Sequence, residues 1–151
     1  MKIVFVCLGN ICRSPMAEFV FKDMLIKNGL EDKVDVCSRA TSDEEVGNPV
    51  YPPAMEELKK HGISCGGKYA EQLKKSDYDK ADCFVCMDDG NVYSSKRIFG
   101  GDPNGKVAKI MSFCASKDDV ADPWYTRRFD VAYDMINKGC KALLESIKTR
   151  L

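Results

Sequence analysis

The sequence predicts an α/β fold: a single domain over residues 1–151, built on a four-stranded, parallel, doubly wound sheet with helices on both faces. Three observations carry that expectation. Ile3-Val4-Phe5-Val6-Cys7 is apolar without a break, the pattern of a strand buried on both faces. Strand-like segments alternate with helix-like ones, which calls for right-handed crossovers and parallel pairing. The 151 residues are 44% hydrophobic, enough for one core of ordinary domain size.

The elements follow in order. After the first strand, Pro15 is placed to open a helix at its first position. Met16, Phe19, Val20 and Met24 continue it at helical spacing, and Asn28-Gly29 ends it. Lys33–Ser38 reads as a second strand. A turn-rich loop from Thr41 to Pro53 leads to a helix over Ala54–His61, stopped by Gly62. Asp82–Met87 is a third strand and Lys106–Phe113 a weaker fourth. The last helix is the best defined, because Phe129, Ala132, Tyr133, Ile136, Cys140, Leu143, Leu144 and Ile147 form one apolar stripe. No internal repeat, linker or low-complexity tract interrupts the chain.

Lys+Arg and Asp+Glu number 23 each, so the formal net charge is zero. That balance speaks against a nucleic-acid or anionic-membrane partner, which would draw on a basic excess. Lys2 and the apolar run to Leu8 resemble the start of a signal peptide. Asn10 and Arg13 follow at once, however, and no small-residue cleavage site appears. No apolar run approaches the ~20 residues of a membrane span. The expected address is cytoplasmic. The eight cysteines, at 7, 12, 37, 65, 83, 86, 114 and 140, read mostly as reduced thiols serving as small hydrophobes. No His/Cys pair has metal-ligand spacing, so neither a metal nor a cofactor is expected. His61, the only histidine, reads as a helix cap or satisfied core residue.

In doubly wound sheets ligands bind at the carboxyl ends of the strands. The loop leaving the first strand is Cys7-Leu8-Gly9-Asn10-Ile11-Cys12-Arg13-Ser14, with Pro15 behind it. Gly9 and Asn10 tolerate left-handed backbone. Consecutive N–H groups in such a turn form an anion-binding nest, reinforced by the helix N-terminus, and Arg13 adds a planar fork. Phosphate or another tetrahedral oxyanion fits this cradle, and the same field favours an ionised sulfur at Cys7. Without a lysine after the loop, the pattern is not a nucleotide P-loop. Ser14 either caps the helix or hydrogen-bonds the Cys7 sulfur, and the two are compatible. Asn10 is expected to hold a strained loop through local hydrogen bonds.

With Val4 through Glu18 in view, the chain resembles the low-molecular-weight protein-tyrosine phosphatases. Asp122-Pro123-Trp124 matches the family's Asp-Pro-aromatic motif. Val46-Gly47, His61-Gly62-Ile63 and Cys86-Met87-Asp88 add weaker agreement. The resemblance implies phosphotyrosine-containing protein substrates and a cysteinyl-phosphate intermediate. It implies Cys7 as nucleophile, Arg13 and the amides of Leu8–Ser14 as phosphate ligands, and Asp122 as general acid and then base. Leu8, Trp124 and Tyr125 would wall the substrate cleft, although core packing is the commoner role for a lone tryptophan. Arg39, Glu44 and Gly67 depart from the family pattern; Glu44 falls near a cleft position where some members carry a large aromatic. Cys12, in the same loop as Cys7, is a candidate redox partner.

Rival readings remain. Phosphoarginine phosphatases share the fold but carry threonine where Ile11 stands, so Ile11 favours phosphotyrosine. Arsenate reductases of the related fold use a further cysteine pair. Here the pair would be Cys83 and Cys86, but strand geometry sends residues three apart to opposite faces. A non-catalytic anion-binding module is opposed by the joint presence of Cys7, Arg13 and Asp122.

Overall fold

The computed structural model describes residues 1–151. Four strands, β1 (Lys2–Cys7), β2 (Asp35–Ala40), β3 (Cys83–Cys86) and β4 (Val107–Lys109), form one parallel sheet in the order β2-β1-β3-β4. The chain steps from β1 outward to β2 and then crosses back to β3. The order therefore reverses between β1 and β3, the crevice where such sheets bind ligands.

Side-chain alternation along β1 divides the interior in two. Ile3, Phe5 and Cys7 face the larger layer, with helices α1 (Arg13–Lys27), α2 (Pro52–Lys60) and α5 (Phe129–Lys148). Val4 and Val6 face the smaller layer, with Phe84, Cys86, Tyr78 and Phe99. Phe99 belongs to α3 (Asp89–Phe99), and Tyr78 to a 3-10 segment at Lys75–Lys80. All eight stripe residues of α5 are buried, as their periodicity predicts. Each large apolar side chain buried in full contributes about 1.5–3 kcal/mol. Cys83 packs against the larger layer and Cys86 within the smaller one, so their thiols face opposite sides of the sheet.

Several boundaries differ from the sequence reading, each for a local reason. α1 begins at Arg13, not Pro15, because the loop already closes a helical turn through Met16 N–H to the Cys12 carbonyl at 3.1 Å. Pro15 still lies in the first turn, where its missing N–H costs nothing. α2 begins at Pro52, since Pro52 and Pro53 both suit a first turn with φ preset. β2 runs over Asp35–Ala40, two residues later than Lys33–Ser38, set by the pairing of Lys2 with Asp35 through Cys7 with Ala40. β4 keeps only Val107–Lys109 of the expected Lys106–Phe113. From Ile110 to Cys114 the chain tightens into a 3-10 turn that buries Ile110 and Met111. α3 and the four-residue α4 (Pro123–Thr126) have no counterpart in the sequence reading. No helix is long and apolar enough to cross a membrane.

Candidate active site

β1 delivers Cys7 to the carboxyl edge of the sheet, and the next residues curl back over it. Four carbonyls of that curl are taken by N–H groups outside it. Thr41 donates to Cys7 at 2.9 Å, Ser42 to Leu8 at 3.1 Å, Tyr51 to Ile11 at 2.9 Å and Met16 to Cys12 at 3.1 Å. In a trans peptide the N–H points opposite to the carbonyl. The amides of Leu8, Gly9, Cys12 and Arg13 are thereby turned toward the inside of the loop. No cis bond occurs.

Only one residue needs left-handed backbone. Asn10 has φ 59°, while Gly9 is not left-handed, contrary to the expectation that both serve that purpose. A single reversal closes the loop, and Asn10 is held in it from all sides. Its amide nitrogen Nδ2 donates to Ser14 Oγ at 2.7 Å and Ser38 Oγ at 2.9 Å, and its Oδ1 accepts the Glu71 N–H at 3.1 Å. These bonds offset the ~1–2 kcal/mol that left-handed backbone costs.

The Cys7 sulfur accepts the Asn10 N–H at 3.2 Å and lies 2.9 Å from Ser14 Oγ. Ser14 Oγ already accepts from Asn10, so its own hydroxyl hydrogen is free to point at sulfur. Ser14 does not cap the helix; Cys12 holds the cap position without a side-chain bond. Cys12 is buried, and its thiol is pushed up to about 12 by that burial and by Cys7 and Asp122 nearby.

Arg13 is buried at 3% exposure, and its charge is met by two carboxylates. Its Nη1 donates to Asp88 Oδ2 at 2.7 Å and to the Val120 carbonyl at 2.9 Å. Those two bonds use both Nη1 hydrogens and leave Nε and Nη2 as the open edge of the fork. Nη2 lies 3.5 Å from Asp122 Oδ2. Burial alone would disfavour the cation, but Cys7, Asp88 and Asp122 outweigh it and raise the Arg13 pKa. Asp122, 109 residues from Arg13 in the chain, thus meets it in space. Its other oxygen caps α4 by accepting the Trp124 N–H at 3.0 Å. Asp122 thus caps α4 with one oxygen and faces Arg13 with the other.

One cleft is lined by residues 7–13, by Ser42, Glu44 and Glu45, and by Asp122, Trp124 and Tyr125. Cys7, Arg13 and Asp122 therefore share one cavity. A family model described as low molecular weight phosphotyrosine protein phosphatase matches residues 2–151. The chain belongs to that family.

Among relatives of this phosphatase, the low molecular weight protein-tyrosine-phosphatase YfkJ of Bacillus subtilis is 37% identical over 98% of the chain and 96% of its own length. The crystal structure of YfkJ superposes with a TM-score of 0.95, covering 99% of this chain and 96% of that one. PtpA of Staphylococcus aureus is 37% identical over 96% of the chain and 92% of its own length. YwlE arginine phosphatase, solved as a mutant with a phosphorylated active-site serine, is 28% identical. Its TM-score is 0.86, with 98% of this chain and 96% of that chain covered.

The walls of this phosphatase's cleft stand open. Leu8 is 43%, Trp124 44% and Tyr125 76% exposed, so Trp124 is not core; it leans on Tyr51 with ring centroids 4.7 Å apart. Glu44 is an exposed cleft residue. Sequence reasoning missed three supporting side chains. Asp88 orients Arg13 from the end of β3, a position at the carboxyl edge of the sheet that could have flagged it. Ser38 and buried Glu18 stand behind Asn10; Glu18 closes the matched stretch Val4–Glu18 without an assigned role, and no motif signals Ser38. Gly67 and Arg39 do not line this cleft. His61 caps α2 and stacks on Tyr133 at 3.7 Å, as a structural histidine should. No group of His, Cys, Asp or Glu is arranged to hold a metal.

Proposed function

We propose that the protein hydrolyses phosphotyrosine in protein substrates, and small aryl phosphates, through a cysteinyl-phosphate intermediate. The observation that carries this reading is the enclosure of Cys7, Arg13 and Asp122 in one cleft, with the Asn10 N–H and the Ser14 hydroxyl facing the sulfur. The loop amides and the Nε/Nη2 edge of Arg13 would hold the three equatorial oxygens of the phosphoryl group, where transition-state charge gathers. The Cys7 thiolate attacks phosphorus as the bond to the tyrosyl oxygen breaks, and Asp122 gives its proton to that oxygen. Water then attacks the phosphorus, passes a proton to Asp122 and expels the sulfur. Inorganic phosphate leaves and the thiolate is restored. The phosphorylated serine in the YwlE mutant is in keeping with a covalent route.

Trp124, Tyr125 and Leu8 would flank the substrate ring, and Ile11 lines the same cleft as a buried apolar residue. Apolar Ile11, where phosphoarginine phosphatases carry threonine, is what supports phosphotyrosine over phosphoarginine. Arsenate reduction through Cys83 and Cys86 is disfavoured because their thiols face opposite layers. A cytoplasmic address suits eight unpaired thiols. Steady-state turnover of phosphotyrosine, phosphoserine and phosphoarginine peptides without added metal tests the assignment. Phosphotyrosine is expected to show the highest kcat/KM; a lead for phosphoarginine would transfer the enzyme to the second reading.

Cys12 is proposed as a protective partner: if peroxide oxidises Cys7 to a sulfenic acid, the Cys12 sulfur displaces water to form a disulfide that thiols reduce. The Cys12→Ser variant is expected to recover far less activity than wild type after peroxide and dithiothreitol. Equal recovery would remove Cys12 from that role.

A further inference from the structure

We infer that Arg127 is a positioning residue: its guanidinium, laid against Tyr51 and Phe129, clamps the short helix α4 and so holds Asp122 over the phosphate loop. The inference rests on the phosphatase mechanism proposed above and concerns a side chain that mechanism leaves unused. Arg127 does not line the cleft that holds Cys7.

Its backbone is the first indication. α4 is a single turn with Asp122 at its N-cap, and Arg127 closes it by donating its N–H to the Pro123 carbonyl at 2.9 Å. Arg127 does so at φ 60°, the left-handed region where glycine is the ordinary residue at a helix end. An arginine there is strained, and such strain persists where surrounding contacts hold it.

The side chain supplies those contacts. Nη1 donates to the Trp124 carbonyl at 3.4 Å and Nη2 to the Tyr51 hydroxyl at 3.2 Å. The guanidinium carbon lies 5.4 Å from the ring centres of both Tyr51 and Phe129, within cation–π reach. Its neighbour Arg128 instead pairs with Asp130 at the surface. Tyr51 is the fixed side of the clamp. Its N–H donates to the Ile11 carbonyl at 2.9 Å, and its ring packs on Trp124 with centroids 4.7 Å apart. Tyr51 therefore touches both the phosphate loop and α4, and Arg127 locks that link from the far end of the helix. At the near end stands the carboxyl that must reach the leaving oxygen.

A general acid tolerates little displacement, since a shift of about 1 Å can cost roughly a hundredfold in rate. The loss falls on substrates whose leaving group needs the proton. Phenyl phosphate and p-nitrophenyl phosphate, close in size, differ in that need. In Arg127→Gly, kcat/KM for phenyl phosphate is expected to fall roughly fivefold to tenfold, and for p-nitrophenyl phosphate about twofold at most. A lost positive charge or a looser Trp124 acts on both substrates alike and cancels in their ratio. Arg127→Asn also suits left-handed backbone, without glycine's freedom, and should shift the ratio equally. In an Asp122→Asn background, Arg127→Gly should leave the ratio where Asp122→Asn has set it. Equal losses on both substrates, a wild-type ratio in either variant, or a further shift without the Asp122 carboxyl would each overturn the inference. Failure of the underlying mechanism would look different: wild type itself would show no turnover dependent on Cys7.

Discussion

Replacing Cys7 by serine is expected to reduce turnover of p-nitrophenyl phosphate and phosphotyrosine by roughly 10⁴-fold or more, the scale on which losing a nucleophile acts. Serine leaves the cradle intact, since the amide of Asn10 and the hydroxyl of Ser14 that face sulfur would face oxygen instead. Its hydroxyl is far less acidic than a thiol, so attack is much slower and departure from phosphorus slower still. Phosphate binding should therefore survive in Cys7→Ser while catalysis is lost. Isothermal titration with inorganic phosphate, alongside the rate assay, checks both halves. Turnover within about a hundredfold of wild type would remove Cys7 as nucleophile.

Asp122→Asn is expected to slow phosphotyrosine by about 10²–10⁴-fold, the range for a positioned general acid. A substrate with the less basic nitrophenolate leaving group should lose much less. The choice of asparagine separates two roles. Asp122 also caps α4 through the Trp124 N–H at 3.0 Å, and asparagine preserves that cap. Asp122→Ala removes both, so it should add about 1 kcal/mol of destabilisation and a higher KM through looser Trp124 and Tyr125. Equal slowing of good and poor leaving groups by Asp122→Asn would exclude the acid role.

The two sets of residues behind these predictions differ in how far the chain announces them. The loop from Cys7 to Ser14 is contiguous, and its strand, turn and helix signals agree, so its place and shape are legible in one stretch. α5 is legible for a similar reason: its eight apolar positions repeat at the helical period. α3 is harder, because Gly90, Asn91, Ser94 and Ser95 are weak helix formers. It is held by its ends, through the Asp88 cap on Asn91 N–H at 2.7 Å and left-handed Gly100 at φ 76°. Those end signals are written in the sequence and outweigh the interior. β4 misleads in the opposite way, since Ile110 and Met111 continue its apolar run but are buried by a tighter turn.

Partners distant in the chain carry little local signal of whom they meet. Asp88 reaches Arg13 across 75 residues, and Ser38 reaches Asn10 across 28. Both are ordinary polar residues near strand ends. Only the sheet order, with its crossover, makes them neighbours of the loop.

That crossover also bears on how the molecule comes into being. The central strand β1 is made first, yet its two neighbours are residues 35–40 and 83–86. Until residues 83–86 dock, one edge of this apolar strand therefore stays unpaired even when β2 is already in place. Pairing of distant segments is slow to nucleate. Catalytic competence requires Asp122 as well, so phosphatase activity reports closure of the whole site rather than early compaction.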